Sequence, residues 1–179
     1  MNEGTIVVRY AKALYQTAKE DSKTEKVNAD VLMLISVIKE SEEFIFLLES
    51  PVIKVSEKEK LISTLFSKQV DPLVLNFLLL LIKNRREQLL PDMCRVFSHL
   101  YKVDKGIKEG TLTTAKQLSK SHFEDIKKYL AKKFKLNIDL QTITDPSLIG
   151  GFKLRIEDQQ IDASISTKLK KIKTELNHT

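Results

Sequence analysis

The chain has 179 residues, of which 42% are hydrophobic and 30% charged, a balance that predicts a globular core and excludes wholesale disorder. With only 5 glycines and 4 prolines, the chain lacks the turn residues of an all-β protein, so the composition favours helix. The net charge of +6 is uneven, because residues 1–105 carry 16 basic and 15 acidic side chains whereas residues 106–179 carry 14 and 9, which indicates two units.

The spacing of apolar and capping residues over residues 5–66 predicts four helices in succession. The first has apolar residues at the spacing of one helix face, and a second stripe follows Ser22 and Glu25, which have capping-box spacing. A short third helix ends at Pro51, and Ser56 with Glu59 repeats the capping-box spacing before the fourth. The first helix contributes an inward stripe of Val7, Tyr10, Ala11, Leu14 and Ala18.

Two further helices complete the predicted N-terminal unit. Asp71 followed by Pro72 predicts an N-cap with proline at the first helical position. The fifth helix that they open is apolar on every side over residues 73–82, and a polar break at residues 84–86 separates it from a sixth. Because the connections are short, we expect these helices to pack antiparallel in a bundle. The sixth carries Met93, Val96, Phe97, Leu100 and Tyr101, with Cys94 expected to be a buried small hydrophobe.

The pattern changes between Gly106 and Gly110. Residues 111–114 are β-prone, Ser121 and Glu124 have the spacing of a helix start, and residues 136–142 and 152–156 alternate as strands. A turn is predicted at residues 145–146, a hairpin at residues 158–159, and a final helix over residues 165–176. The predicted fold is therefore mostly α, with an N-terminal six-helix bundle over residues 1–105 and a small α+β C-terminal domain over residues 106–179.

No catalytic or metal-binding arrangement emerges from the pattern. His99, His122 and His178 are scattered and lack metal-ligand spacing, and no phosphate-binding glycine loop is present, since Gly150-Gly151 is typical of a bend in a strand. Three aspartates could in principle pair for acid-base chemistry, but each falls at an expected turn or strand edge, where aspartate usually accepts hydrogen bonds from backbone amides; they are Asp145, Asp158 and Asp162. We therefore expect no enzyme activity, no cofactor, no metal and no small-molecule substrate.

Two features indicate a location outside the lipid bilayer. Residues 1–8 lack the basic and apolar regions of a signal peptide. The longest apolar run, residues 73–82, is about half the length that a membrane-spanning helix needs. One cysteine excludes an internal disulfide and indicates a reducing compartment.

The basic helix of the C-terminal half raises the alternative of a basic nucleic-acid-binding helical module. Phe134 falls on the inward stripe of this helix and so offers no stacking platform for bases, although Tyr129 lies nearby. A solvated face beside an acidic partner is the favoured interpretation. The lysines concerned are Lys127, Lys128, Lys132, Lys133 and Lys135.

Apolar helix surface is in excess in the N-terminal half. The first helix has a second row beside its inward stripe, and the fifth helix is apolar all round. A groove between these two helices would accept the amphipathic helix of a partner. Alternatively, the fifth helix is the centre of the bundle. Composition and periodicity leave both interpretations open, and neither is an enzyme. The second row consists of Ile6, Tyr10, Ala13 and Thr17.

Several segments resemble ATP synthase delta subunits and their mitochondrial counterpart, the oligomycin-sensitivity conferring protein. They are R-Y-A-K-A-L-Y at residues 9–15, the Ser50-Pro51 segment with Ile53 and Lys60, N-F-L-L-L-L-I-K-N-R-R at residues 76–86, and residues 113–119. The most specific is D-P-S-L-I-G-G-F-K-L-R-I-E-D-Q-Q-I-D-A-S-I at residues 145–165, where Glu157 and Ala163 replace glycines of the family pattern. The resemblance covers essentially the whole chain.

This resemblance implies a non-catalytic stator, or peripheral stalk, subunit of an F-type ATP synthase that links the catalytic head to the b-type stalk subunits. It implies that the N-terminal helix of an alpha subunit binds between the first and fifth helices, and that the C-terminal domain contacts the stalk. It also implies a peripheral location, through the complex, on the cytoplasmic face of the bacterial plasma (inner) membrane, without nucleic acid. The groove would use Tyr10, Ala13, Leu14 and Thr17 with Asn76, Leu79, Leu80 and Lys83.

Overall fold

The computed structural model describes residues 3–134, 137–148, 150–156, 159–165 and 167. The chain divides into two compact units between Lys102 and Val103. The first is helical and the second combines one helix with a four-stranded sheet. The predicted fold class is thereby confirmed.

The first unit contains six α-helices and one 3-10 turn among its described residues. The apolar stripes face one common core, in which Tyr15 and Phe97 meet edge to face with ring centroids 5.6 Å apart. Cys94 is buried there, as predicted, and burial raises the pKa of its thiol to about 12. The elements are α1 Glu3–Glu20, α2 Thr24–Glu40, α3 Glu42–Glu49, α4 Val55–Phe66, α5 Pro72–Lys83, the 3-10 turn Glu87–Leu89 and α6 Leu90–Asp104.

Helix α5 begins and ends as its sequence dictates. The Asp71 carboxylate accepts the backbone N–H of Leu73 at 3.0 Å, which confirms the predicted N-cap with Pro72 at the first position. At the other end, Arg85 adopts a left-handed backbone with φ 53°. The amide of Arg86 then donates to the carbonyl of Leu81 at 2.9 Å, the six-to-one bond of a Schellman motif. The polar break at residues 84–86 is therefore a helix C-cap.

Both predicted capping boxes in this unit are wrong. Ser22 has φ 56° and closes α1, since the next amide, that of Lys23, donates to the carbonyl of Ala18 at 2.8 Å. A residue in that conformation cannot also cap α2, whose N-cap position is Lys23 without a side-chain hydrogen bond. Ser56 already lies inside α4, because Lys54 occupies the N-cap position there.

The second unit is built on a central strand, β1 Ile107–Thr114, longer than the predicted residues 111–114. It pairs in parallel with β2 Asn137–Thr144 and antiparallel with β3 Phe152–Ile156, which pairs with β4 Gln159–Asp162, so the order is β2-β1-β3-β4. Helix α7 Lys120–Phe134 connects β1 to β2. Alternate strand residues meet inward-facing residues of α7 in a separate core of Leu112, Leu130, Ile138, Leu140 and Leu154.

Local chemistry in this unit agrees with the sequence in part. The Asp145 carboxylate accepts the amide of Ser147 at 2.9 Å, which confirms a turn after β2. Helix α7 starts two residues earlier than predicted, because the hydroxyl of Ser119, not that of Ser121, accepts the amide N–H of His122. Gly151 has φ 81°, which confirms the bend. The antiparallel pairing of β3 with β4, in which Ile156 aligns with Gln159, confirms the predicted hairpin, although residues 157–158 lie outside the described residues. Most of the predicted final helix lies outside them as well.

Candidate partner-binding surface between α1 and α5

Helix α5 is neither fully buried nor fully exposed. Its inward face consists of Val74, Phe77, Leu78, Leu81 and Ile82. The opposite face carries Asn76, Leu80 and Lys83 and is open to solvent. The Leu80 residue is 47% exposed. Since a helix advances about 100° per residue, these three side chains form one continuous strip. The fifth helix is therefore the middle of the bundle on one side and an apolar surface on the other.

Tyr10 joins this strip to α1. Its ring packs against Phe77 of α5, with the centroids 6.4 Å apart. Its hydroxyl receives hydrogen bonds from Nη1 of Arg86 at 3.1 Å and from Nδ2 of Asn84 at 3.3 Å. The Arg86 guanidinium also lies 5.4 Å from the centre of the Tyr10 ring. One aromatic side chain thus ties α1 to both the middle and the C-terminal end of α5.

The four predicted residues of α1 occupy different depths. Ala13 and Thr17 are exposed on the same side of α1 as the half-buried Tyr10, and the Thr17 hydroxyl donates to the Ala13 carbonyl at 3.0 Å. Leu14 is only 5% exposed and belongs to the core. Leu14 therefore supports the surface from beneath and offers a partner almost no area.

The four predicted residues of α5 also separate. Asn76, Leu80 and Lys83 lie on the exposed strip. Leu79 is half-buried and lies at the α4 edge of this face, where it lines a shallow surface with Ser63 and Thr64 of α4. The surface between α1 and α5 is consequently narrower than the predicted set. We define the α1–α5 surface as Ile6, Tyr10, Ala13, Thr17, Asn76, Leu80 and Lys83.

Two residues that join the helices here were not assigned to the surface from the sequence. The hydrophobic pattern indicates only a polar break at Asn84 and Arg86. Their bonds to Tyr10 cross more than seventy positions of chain, which no local period reveals. Helix periodicity does indicate that Asn84 lies towards the side of Asn76, because it follows Asn76 by eight residues.

The N-terminus of α5 is fixed by a cluster of charged side chains. The amide of Asp71 donates to the buried Asp30 carboxylate at 2.7 Å, which connects α2 to α5. Asp71 itself is only 2% exposed, and ammonium groups of Lys26 and Lys23 lie 3.1 and 3.4 Å from its oxygens. The hydrogen bond from Leu73 is the main cause that lowers the pKa of Asp71, and the two lysines lower it further.

A second apolar groove lies elsewhere on the bundle. It has a volume of about 500 Å³ between α3 and α4, and its side chains include the exposed Phe46, Leu61 and Leu65. Its polar lining residues are Ser41, Glu43 and Gln69. Apolar exposure alone therefore does not single out the α1–α5 surface, and a test must distinguish the two grooves.

Helix α7 carries the basic surface of the second unit. Lys128 and Lys132 are exposed and Lys127 is half-buried; the side chain of Lys133 and residue Lys135 lie outside the described part of the chain. Tyr129 is exposed beside them. Within the described residues no group of His, Cys, Asp and Glu could hold a metal ion, and no helix is long and apolar enough to cross a membrane.

Comparison with known proteins gives one consistent family. A family model described as ATP synthase delta (OSCP) subunit matches residues 6–176. ATP synthase subunit delta of Parabacteroides distasonis is 36% identical over 179 residues, covering 98% of this chain and 98% of its own length. The same subunit of a Geobacillus species is 35% identical over 177 residues, covering 98% and 99%.

A solved structure agrees with these relatives. A chain of the mitochondrial ATP synthase hexamer of Toxoplasma gondii superimposes with a TM-score of 0.69 at 28% identity. The match covers 95% of this chain and 96% of that chain, so it includes both the helical unit and the sheet-containing unit.

Proposed function

This chain belongs to the ATP synthase delta (OSCP) subunit family, and we propose from that membership that it links the catalytic alpha/beta head of an F-type ATP synthase to the b-type stalk. It is a non-catalytic subunit of the complex. Its role is mechanical: during proton- or ion-driven ATP synthesis the stator resists the torque of the rotor. Such a link needs a slow dissociation rate and hence a desolvated apolar centre.

In this proposal the N-terminal helix of an alpha subunit binds the α1–α5 surface. The observation that carries it is the exposed strip of α5 beside Tyr10, where Leu80 keeps almost half of its surface in water. An amphipathic helix laid along this strip covers Leu80 and Ala13 with its apolar face. Lys83 and Asn76 supply a polar rim.

The second unit is proposed to contact the C-terminal ends of the b-type stalk subunits. It has its own apolar core, so it is a folded module in its own right. Its helix α7 presents lysines to solvent, which suits an acidic partner. The family match extends over this unit, so the basic helix needs no separate nucleic-acid function and that alternative is not favoured.

The proposed location follows from the complex. The chain would reach the cytoplasmic face of the bacterial plasma (inner) membrane by binding other subunits, as a peripheral component. Extraction without detergent, together with the head of the complex, is the expected behaviour.

The central test is calorimetric titration of the full chain with a synthetic peptide of the alpha N-terminus. We expect Leu80→Asp to abolish binding, since a carboxylate would be buried against apolar side chains. Leu32→Asp is the matched control, because Leu32 is an equally exposed leucine, at 48%, on α2. Circular dichroism spectra of both variants should match that of the wild type.

The outcomes separate the two apolar grooves. Loss of binding in Leu80→Asp alone supports the α1–α5 surface. If Leu65→Asp abolishes binding and Leu80→Asp does not, the peptide occupies the groove between α3 and α4. If the wild type releases no heat at micromolar peptide, the proposed contact with alpha is wrong.

A further inference from the structure

Arg86 is a half-buried cation whose observed partner is an aromatic side chain. Its guanidinium donates to the Tyr10 hydroxyl and lies near the ring of the same residue. The acidic residue next in sequence, Glu87, is turned away and binds Lys58 at 2.6 Å. No carboxylate in the described part of the chain lies within ion-pair distance of Arg86.

The fold places the charge of Arg86 at the C-terminal end of α5, beside Tyr10. The Schellman motif at Arg85 ends α5 and turns the chain so that Arg86 returns to Tyr10. Lys83 lies on the exposed strip just before this turn, and it too has no ion-pair partner among the described residues. The α1–α5 surface is thus apolar along Leu80 and cationic at the end where α5 stops.

A guanidinium held against an aromatic ring has few rotamers left to lose. It has five N–H donors, of which one is used on the Tyr10 hydroxyl. A carboxylate is the group that matches the remaining fork in geometry and charge. Partial burial strengthens such a pair relative to one on an open surface.

From these observations we infer that the α1–α5 surface selects a helix that carries a carboxylate where it passes the C-terminal end of α5. The occupant is the alpha N-terminal helix of the proposed function, on which this inference rests. Arg86 is the specificity-determining residue, Lys83 adds long-range attraction, and Tyr10 is a positioning residue that orients the guanidinium. The apolar strip supplies affinity, whereas Arg86 fixes the direction and register of the bound helix.

The test is a double-mutant cycle by calorimetry on the full chain. The alpha N-terminal peptide is made with each Asp or Glu changed singly to Asn or Gln. Each peptide is titrated into wild type, Arg86→Gln, Arg86→Lys and the control Lys68→Gln, whose lysine is exposed near the end of α4. We expect one neutralised peptide to bind wild type about five- to tenfold more weakly and to lose no further affinity with Arg86→Gln.

Two further variants keep the result interpretable. Arg86→Lys should recover only part of the lost affinity, because an ammonium cannot form the planar fork. Arg86→Glu combined with the same peptide position changed to Arg should bind more tightly than either change alone. Tyr10→Phe, which keeps the ring and removes the hydroxyl, should reduce the coupling to a smaller fold-change.

The outcomes are separable from those of the proposed function. Each neutralised peptide could lose as much affinity for Arg86→Gln as it loses for wild type. In that case the carboxylate pairing is wrong, although the alpha helix still binds. If Lys68→Gln shows the same coupling as Arg86→Gln, the effect is general charge attraction and the assignment to Arg86 fails. Absence of binding by the unmodified peptide overturns both the inference and the proposed contact.

Discussion

Arg85 adopts a conformation that costs free energy for any residue with a Cβ atom. Its φ of 53° is required because the Schellman motif places the residue after the C-cap in the left-handed region. Arg85→Gly should therefore raise the free energy of unfolding by roughly 0.5–1 kcal/mol, after the greater freedom of glycine in the unfolded chain is subtracted. Urea denaturation measures it.

Arg85→Ala is the matched control for that change. Both variants remove the same charge, but alanine keeps the steric cost of the left-handed backbone. Equal unfolding midpoints for the two variants would show that the turn does not need a left-handed residue.

Asp71 makes stability depend on pH at acid values. Its pKa is lowered in the folded chain, chiefly by the Leu73 amide and then by its lysine neighbours. A carboxyl group whose folded pKa lies below its unfolded value, about 3.9, stabilises the fold above that value. This contribution is lost as the pH falls through the lower folded pKa. The stability difference between wild type and Asp71→Asn should accordingly be full at neutral pH and shrink below about pH 4.

Urea unfolding of both proteins across that pH range measures the effect. Asp145→Asn offers a comparison, because the Asp145 pKa is also lowered, by Ser147, in the other unit. A wild-type minus Asp71→Asn difference that stays constant down to the acid transition would contradict the assigned role of Asp71.

At the scale of elements, a buried ion pair connects three segments of the bundle. Lys58 of α4 donates to Glu87 of the 3-10 turn at 2.6 Å and to the carbonyl of Leu48 in α3 at 2.9 Å. Lys58→Met leaves the Glu87 carboxylate buried and unpaired, and should cost about 3–5 kcal/mol of stability. Lys58→Met combined with Glu87→Leu should recover most of that loss, because the desolvation cost of both charges disappears.

Chemical denaturation of the two single variants and the double variant completes this cycle. If the double variant is as unstable as the sum of the single losses, the two side chains do not act as a pair.

Element starts and ends show how far the sequence alone reaches. Asp71-Pro72 was predicted correctly because its cap is local: donor and acceptor are two residues apart. Ser22 and Ser56 satisfied the capping-box spacing without making the bonds, since neighbouring backbone conformation decided where α2 and α4 begin. Spacing constrains which residues share a helix face but not the conformation of the residue before the helix.

The candidate surface also combines features that periodicity predicts with features that depend on tertiary packing. The second apolar row of α1 and the apolar fifth helix were predictable, because both are periodic. Periodicity also places Leu14 on the inward stripe, where it is buried, and only the family resemblance includes it in the groove. That Leu79 packs towards α4 depends on which neighbours pack there, and periodicity does not include neighbours. Arg86 escaped prediction since its partner, Tyr10, lies at the other end of the bundle sequence.

At the scale of the whole molecule, two separate apolar cores predict two separate responses to damage. Gly151 has φ 81°, and a Cβ atom there would lie 2.3 Å from the carbonyl oxygen of Ala163. Gly151→Ala should therefore lower the free energy of unfolding of the second unit by at least about 1 kcal/mol. Hydrogen exchange should show faster exchange in β1 and β3 and unchanged protection in α5 and α6.

Gly150→Ala is the neighbouring control. Its added Cβ would meet only the end of the flexible Ile165 side chain, which can move aside. Protection lost in α5 and α6 as well as in the sheet would mean that the two cores unfold as one.

The pairing of β1 has a consequence for the order in which the chain folds. Its parallel partner begins only after α7, so that Ile107 aligns with Asn137, and its antiparallel partner is more distant still, with Gly110 opposite Ile156. The chain loses entropy when it closes such long loops, and it does so before the strand contacts form, which slows folding. Helices form their hydrogen bonds locally and quickly. Refolding should therefore show a fast helical phase followed by a slower one for the sheet. On the ribosome, the bundle would acquire its α1–α5 surface before the central strand has met either neighbour.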